Sequence, residues 1–254
     1  MLPFCKTCLI ACCTTAFLFV SPRLAAAQSF TVITNSVPPF KFLKDGKPSG
    51  MAGDLLTYLF RITGHSVAQS RSIPMAQFLQ RDYKEPGTVF LALSKSHQQD
   101  HGFKLVGPIF TAKSGIIVKK FRHFRLARIH DAKTMILASV INSAPEKGLM
   151  GTAIEEKHFL RFPTPQGAIK ALVTDKADGL LLATAAAYHL MAREGIDTNL
   201  FETALTLDSI PLYFAFHADT PARVIEHLQA TLNEMKQPDE TGMSPYLKII
   251  SAYY

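Results

Sequence analysis

Tryptophan does not occur in this chain of 254 residues, and the four cysteines (Cys5, Cys8, Cys12 and Cys13) all fall within the first 13 positions. The remainder therefore has no disulfide framework, no thiolate nucleophile and no cysteine-based metal site. Charge is sparse at 19%, against 48% hydrophobic residues, which excludes a disordered, collagen-like or mucin-like chain. No apolar run beyond the N-terminal region approaches the roughly 18 residues of a membrane span. Acidic residues number 20 against 27 basic ones. Since Lys6 and Arg23 fall in the first 27 residues, where there is no acid, 25 − 20 leaves the rest at +5. That mild basic bias favours anionic partners without calling for nucleic acid.

Motif searches are equally negative. There is no Gly-x-Gly-x-x-Gly, Walker loop, Gly-x-Ser-x-Gly or His-Glu-x-x-His, so no cofactor is expected. The nine histidines are scattered. His97 and His101, four apart, could share a helix face and a metal, but only Asp100 accompanies them. They read as solvated histidines in a surface loop, with no metal site. Glu155, Glu156 and Asp208 form no carboxylate pair whose separation can be inferred.

What is present begins with an export pattern. Lys6 precedes an apolar run over residues 8–20, and Ala25-Ala26-Ala27 supplies small residues before Gln28. A positive start, a short apolar segment and an Ala-x-Ala site indicate a signal peptide, 1–27, and a periplasmic mature protein. The lipobox-like Leu9-Ile10-Ala11-Cys12 is the rival reading.

After Gln28, short apolar runs alternate with helical segments, the pattern of an α/β protein with mainly parallel strands. Strands are expected at 30–34, 67–72, 88–93, 115–118, 135–141, 178–182 and 211–216. Helices are expected with Asp54 as a cap and Gly64 as a stop, at 74–81, at 145–154, from the Thr164 cap, at 184–194, after Thr220-Pro221, and after Ser244-Pro245. Pro38 and Pro39 force an extended loop at 35–40. The basic stretch 119–128, with Phe121 and Phe124 interleaved, reads as a crossing between lobes.

The order of these elements is similar to one family. Pro38-Pro39-Phe40, the Asp45-Gly46-Lys47 turn and Gly50-Met-Ala-Gly-Asp54-Leu-Leu resemble the opening of bacterial extracellular solute-binding proteins of family 3, the polar-amino-acid class of periplasmic binding proteins. Phe103-Lys-Leu-Val-Gly-Pro-Ile109, Lys170-Ala-Leu-Val-Thr-Asp-Lys-Ala-Asp178-Gly-Leu-Leu and Tyr213-Phe-Ala-Phe-His-Ala-Asp-Thr-Pro221 resemble later segments of that family, in order. The resemblance implies a two-lobed α/β fold of periplasmic-binding-protein type II, each lobe a mainly parallel sheet flanked by helices. The lobes would comprise 28–117, then 118–210, with 211–254 returning to complete the first. Hinge closure on ligands is the known behaviour of periplasmic binding proteins.

The same resemblance implies the site. Val37, Pro39 and Phe40 match the first-lobe loop, Ser94 a ligand-contacting strand end, and Val140, Asn142 and Ser143 a second-lobe loop at a helix N-terminus, where backbone N–H groups suit an anion. Phe40 and Phe42 could equally be core, and Ser94 a strand-end cap. The family's carboxylate-gripping Arg falls on Gln99, and its ammonium-holding Asp on Ala183. Gln99 brings no charge and Ala183 neither charge nor hydrogen bond, so the ligand is expected not to be an ordinary α-amino acid. Arg71 or Lys95 could supply a substitute positive charge. The expectation is a monomeric binder of a small polar molecule, serving an inner-membrane permease or sensor, with no nucleic acid partner. The alternatives are an interaction protein docking through 119–128 and, with Glu155, Asp178 or Asp208 as acid or base, a dehydratase-like enzyme.

Overall fold

A computed structural model describes residues 27–254, apart from Thr152, Thr241 and Tyr254 and the side chains of Asp82, Gln99 and Asp100. The signal peptide expected at 1–27 lies outside the described residues except for Ala27. Among the described residues no helix is long and apolar enough to cross a membrane.

The strands are β1 (Ser29–Thr34), β2 (Phe42–Lys44), β3 (Lys47–Ser49), β4 (Ser66–Ser72), β5 (Thr88–Ser94), β6 (Lys104–Lys119), β7 (Leu137–Val140), β8 (Phe159–Phe162), β9 (Gly179–Ala183) and β10 (Phe201–Phe216). The helices are α1 (Gly50–Thr63), α2 (Met75–Gln80), α3 (Gln98–His101), α4 (Ala144–Leu149), α5 (Pro165–Val173), α6 (Thr184–Arg193), α7 (Ala222–Met235) and α8 (Pro245–Ile250). Eight strands form one sheet in the order β4-β1-β5-β10-β6-β9-β7-β8, and β2 and β3 form a separate hairpin. β5 is buried at every position, as an apolar run in the middle of a sheet must be.

Two strands belong to both lobes. β6 and β10 pair antiparallel from Lys104↔Phe216 to Lys119↔Phe201. Along that ladder β10 meets β5 from Leu212 onward, whereas β6 meets β9 only from Ser114. The crossing therefore lies inside the two strands. The basic stretch 119–128 begins at the last residue of β6, beyond the β9 pairing, so it is not the crossing. Lys119 instead ties that end to the second lobe, donating to the Val173 carbonyl at 2.8 Å and to Asp175 at 2.7 Å.

Both long strands exceed their sequence expectation because Pro108 and Pro211 interrupt the apolar pattern. Pro211 keeps its register opposite Thr111, whereas Pro108 falls where the register shifts and Gly107, Pro108 and Ile109 face Tyr213; a separate bulge sets Leu207 and Asp208 against the single residue Ser114. Helix α4 is shorter than expected and stops before Gly151, which adopts φ +74. Thr164 and Ser244 do cap the helices that follow them, accepting from Gly167 and Leu247 N–H.

Helix α1 starts at Gly50 rather than after Asp54, and the reason bears on the site. The Met51 and Ala52 N–H groups donate to the carbonyls of Pro39 (3.1 Å) and Phe40 (2.8 Å), so the loop before β2 is tied to the helix's first turn. Gly50 has φ +82, and a Cβ there would sit 2.6 Å from the Pro39 oxygen. Asp54 serves the C-terminus instead, accepting from the Tyr253 hydroxyl.

Gly50→Ala meets both left-handed strain and a backbone clash, so we expect it to lower stability by about 2 kcal/mol or more. Gly46 has φ +73 but nothing near its would-be Cβ, so Gly46→Ala should cost only about 1 kcal/mol. Urea unfolding of the two variants checks this; equal losses would mean the loop is not held as described.

Candidate functional site

A cavity of about 90 Å³ lies between the lobes. The first lobe contributes the loop after β1, Met75 and the end of β5; the second contributes Val140, the start of α4, Pro165 and the end of β9; Ala112, Ser114, Ile210 and Leu212 come from the crossing strands. Most of this surface is hydrocarbon, and the polar residues are Asn35, Lys41, Ser94, His97, Ser114 and Ser143.

Of the residues marked from sequence, Val37, Phe40, Ser94, Val140, Ser143 and Ala183 line the cavity. Phe40 is also core, 5% exposed and stacked on Phe110 at 5.6 Å. Pro39 does not line it; its carbonyl is the acceptor for Met51 already described. Arg71 pairs with Glu85 from strand β4 at the edge of the sheet and does not reach the cavity. Lys95 likewise does not line it and lies 5.2 Å over the Tyr213 ring. Gln99 belongs to α3, but its side chain lies outside the described residues.

The loop 140–143 does not offer its backbone to an external anion. The Asn142 N–H donates to Glu146 Oε2 at 2.6 Å, and Glu146 Oε1 accepts from Ser139 Oγ at 2.6 Å. Arg161 completes the set, donating to both oxygens of Glu146 at 3.0 and 3.1 Å. The carboxylate of Glu146 is 1% exposed as a residue and fills the place an anion was expected to take. A buried carboxylate with four donors is fully satisfied, and it fixes Asn142 in a left-handed turn at φ 60.

His97 corrects the surface-loop reading. It is 1% exposed and joins the lobes. Its Nε2 lies 2.9 Å from the Asn142 carbonyl and its Nδ1 3.0 Å from Ser94 Oγ. A carbonyl only accepts, so Nε2 carries the proton and Nδ1 accepts from the serine hydroxyl. Burial pushes the imidazole pKa down to about 4, with Lys147 and Lys41 adding repulsion, against the opposing effect of the Asn142 and Ser94 backbone, which favours the protonated ring. His101 points to different neighbours, Tyr83 and Phe103. Among the described residues no group of three or more acidic, histidine or cysteine side chains could hold a metal.

Lys41 is the functional candidate that sequence reading missed. It is 5% exposed and its Nζ donates to the carbonyls of Leu91 (2.9 Å) and Ala92 (2.8 Å). Those carbonyls belong to a bulge, where Leu91 and Ala92 together oppose Phe214 and Ala92 takes φ 53. The ammonium also lies 4.5 Å over the Phe90 ring. Full burial lowers its pKa to about 7. A lysine directly after Pro-Pro-Phe, facing an apolar run, was the available signal.

The carboxylates considered as acid or base lie elsewhere. Glu155 pairs with Lys157 at the surface, Asp178 accepts from Ile136 N–H at 2.9 Å, and Asp208 is exposed.

The buried imidazole makes stability pH-dependent. Its folded pKa is below the unfolded value, so the unfolded chain binds more protons below about pH 6.5. The stabilisation is complete above that pH and is lost as pH falls toward 4, by roughly 3 kcal/mol. Urea midpoints at pH 7.5 and 4.5 should therefore differ more for the natural chain than for His97→Gln; equal differences would show that His97 stays solvated.

No family model matches the sequence, and no curated protein does. Solved structures do match. A histidine kinase sensor domain with similarity to periplasmic binding proteins superposes with a TM-score of 0.71 at 16% identity, covering 89% of this chain and 95% of that one. The P235GK mutant of the arginine-binding protein ArgBP from T. maritima gives 0.72 at 19% identity, covering 89% and 94%. The ancestral amino acid-binding protein AncCDT-1, a precursor of cyclohexadienyl dehydratase, gives 0.67 at 17% identity, covering 89% and 95%. At such identities the shared property is architecture: the chain has the two-lobed α/β fold of the periplasmic binding proteins.

Proposed function

We propose that this is a periplasmic solute-binding protein that captures a small polar ligand by lobe closure and presents it to a membrane transporter or sensor. The observation that carries the reading is the cavity itself, walled by both lobes and by the two strands that join them. Few, convergent polar groups in an otherwise apolar concavity are what small-molecule sites generally offer. The fold neighbours support it, since some are arginine-binding proteins and one is a sensor domain. The chain is read as an exported monomer without cofactor. Its lobes are taken as 28–117 with 211–254, and 118–210.

A standard α-amino acid does not suit this cavity. Among its described lining residues there is no Asp, Glu or Arg, and Ala183 stands where an ammonium partner was sought. Burying a zwitterion would leave its ammonium without a counter-charge, at a cost of several kcal/mol. The reading is of a binder rather than an enzyme, and the positions of Glu155, Asp178 and Asp208 off the cavity support that.

A second reading, a ligand-independent interaction protein, is favoured by one contact. The His97–Asn142 hydrogen bond closes the cleft with protein atoms alone.

A melting-temperature survey across a broad metabolite panel separates the two. A ligand at 100 times its Kd stabilises by about 2.7 kcal/mol, or roughly 5–10 °C for a chain of this size. Shifts of that order are expected for at least one compound, and calorimetry should find no micromolar binding by the twenty standard amino acids. Flat melting curves throughout would favour the second reading.

A further inference from the structure

Because the cavity wall is mostly hydrocarbon, its few polar atoms decide what it can hold. Ser114 is 1% exposed, and its Oγ has no hydrogen-bond partner among the described residues. A hydroxyl sealed from water in this way is costly unless something in the cavity engages it. Lys41 is the second such group. An ammonium has three N–H donors, and the Leu91 and Ala92 carbonyls take two of them. The third has no oxygen acceptor among the described residues, and Lys41 is one of the residues that line the cavity.

The approach to the cavity has the same sign. An adjoining groove of about 350 Å³ shares Ser94, Ala144 and Ile210 with the cavity and adds Lys95 and Lys147, and no carboxylate lines either space among the described residues. Positive charge in a low-dielectric cleft attracts anions and rejects ammonium groups.

Resting on the solute-binding reading above, we propose that the cavity takes a short-chain monocarboxylate. Its carboxylate is received by the remaining N–H of Lys41, with Ser114 as the second polar contact. Its hydrocarbon body lies against Val140, Leu182 and Leu212. The size fits: at about 10–15 Å³ for one water, 90 Å³ holds roughly six to nine non-hydrogen atoms. The charge-assisted bond from a desolvated ammonium is the strong type, and an amide or alcohol of the same shape cannot evoke it.

Burial leaves the Lys41 pKa at about 7, so the affinity should depend on pH in the neutral range. The titratable groups facing it are His97, from the turn after β5, and beyond it Lys147 on α4, whose Nζ reaches the Ser96 carbonyl at 3.4 Å. His97, with a pKa of about 4, does not change charge above pH 6.5.

The probes are butyrate, butyramide and n-butylamine, titrated calorimetrically into the full mature chain. At pH 6.5 butyrate is expected to bind at least tenfold more tightly than either analogue. Its affinity should fall at least tenfold between pH 6.5 and 8.5 as Lys41 loses its proton. Ser114→Ala should weaken butyrate several-fold, and Lys41→Met should abolish binding. If Lys41→Met does not fold, as judged by circular dichroism, the pH dependence of the natural chain and Ser114→Ala decide the matter. Equal affinity for butyrate and butyramide, tight butylamine binding, or an affinity unchanged over this pH range overturns the proposal. If these probes fail while the metabolite survey yields a ligand of another class, the carboxylate assignment is wrong and the solute-binding reading stands. If nothing binds in either experiment, both fall.

Discussion

The pairing of β6 with β10 is the constraint from which the rest of the molecule follows. Each strand is 16 residues long; β10 meets the first lobe's β5 from Leu212 onward, and β6 meets the second lobe's β9 over Ser114–Ile117. A ladder shared in this way leaves the lobes no independent register: the end of β5 is fixed at Leu212, opposite Phe110, and the end of β9 at Ser114, four residues further along β6. Gly115 shows how tightly the strands approach, since a Cβ there would lie 2.7 Å from the Leu205 carbonyl oxygen. The bulge at Leu207 and Asp208 then adds local twist where the strands pass from one lobe to the other. The cavity sits where that twisted ribbon parts the two sets of parallel strands.

Much of this was legible in the chain because the relevant signals are local. The apolar run at 88–93, the Thr164 and Ser244 caps and the Gly64 stop each act through neighbours within a few residues, and each of these signals acts where it was read, although α1 begins four residues before the Asp54 cap. The long strands were read as short because Pro108 and Pro211 break the period that sequence reading relies on, and only the ladder shows that Pro211 keeps register with Thr111 while Pro108 falls where the register shifts. Similar limits apply to the site. Loop positions such as Val37 and Phe40 could be placed by resemblance, but His97 looked solvated until Asn142, 45 residues away, supplied its partner. Glu146 was similarly invisible: nothing near it in sequence indicates that Arg161 and Ser139 converge on its carboxylate.

Electrostatics divides the two walls of the cleft. On the second lobe Glu146 and Arg161 cancel each other, and the donors around the carboxylate hold the Asn142 turn in place. Removing either partner of such a buried pair is typically expensive, whereas the intact pair adds little net stability. Its contribution is positional. On the first lobe Lys41 has no carboxylate partner among the described residues; its two acceptors are neutral carbonyls. The cleft thus joins a neutralised wall to an uncompensated positive one, bridged by a neutral imidazole.

A buried lysine needs a reason beyond bonding two carbonyls. The bulge at Leu91 and Ala92 requires a donor, but a neutral amide could donate there without carrying a charge. A pKa lowered from 10.5 to about 7 means that the protonated form is disfavoured by roughly 5 kcal/mol relative to water. Between pH 7 and 10.5 the unfolded chain holds that proton more firmly than the folded one, so this penalty recedes as pH rises. Near neutrality a fold that keeps Lys41 therefore gives up stability that a neutral side chain would retain. An anion in the cavity offsets the same penalty without a change of pH, because it favours the charged form at the place where burial opposes it. The cost of the lysine in the isolated chain and the charge preference of the cavity are in this sense one quantity, read once as lost stability and once as affinity.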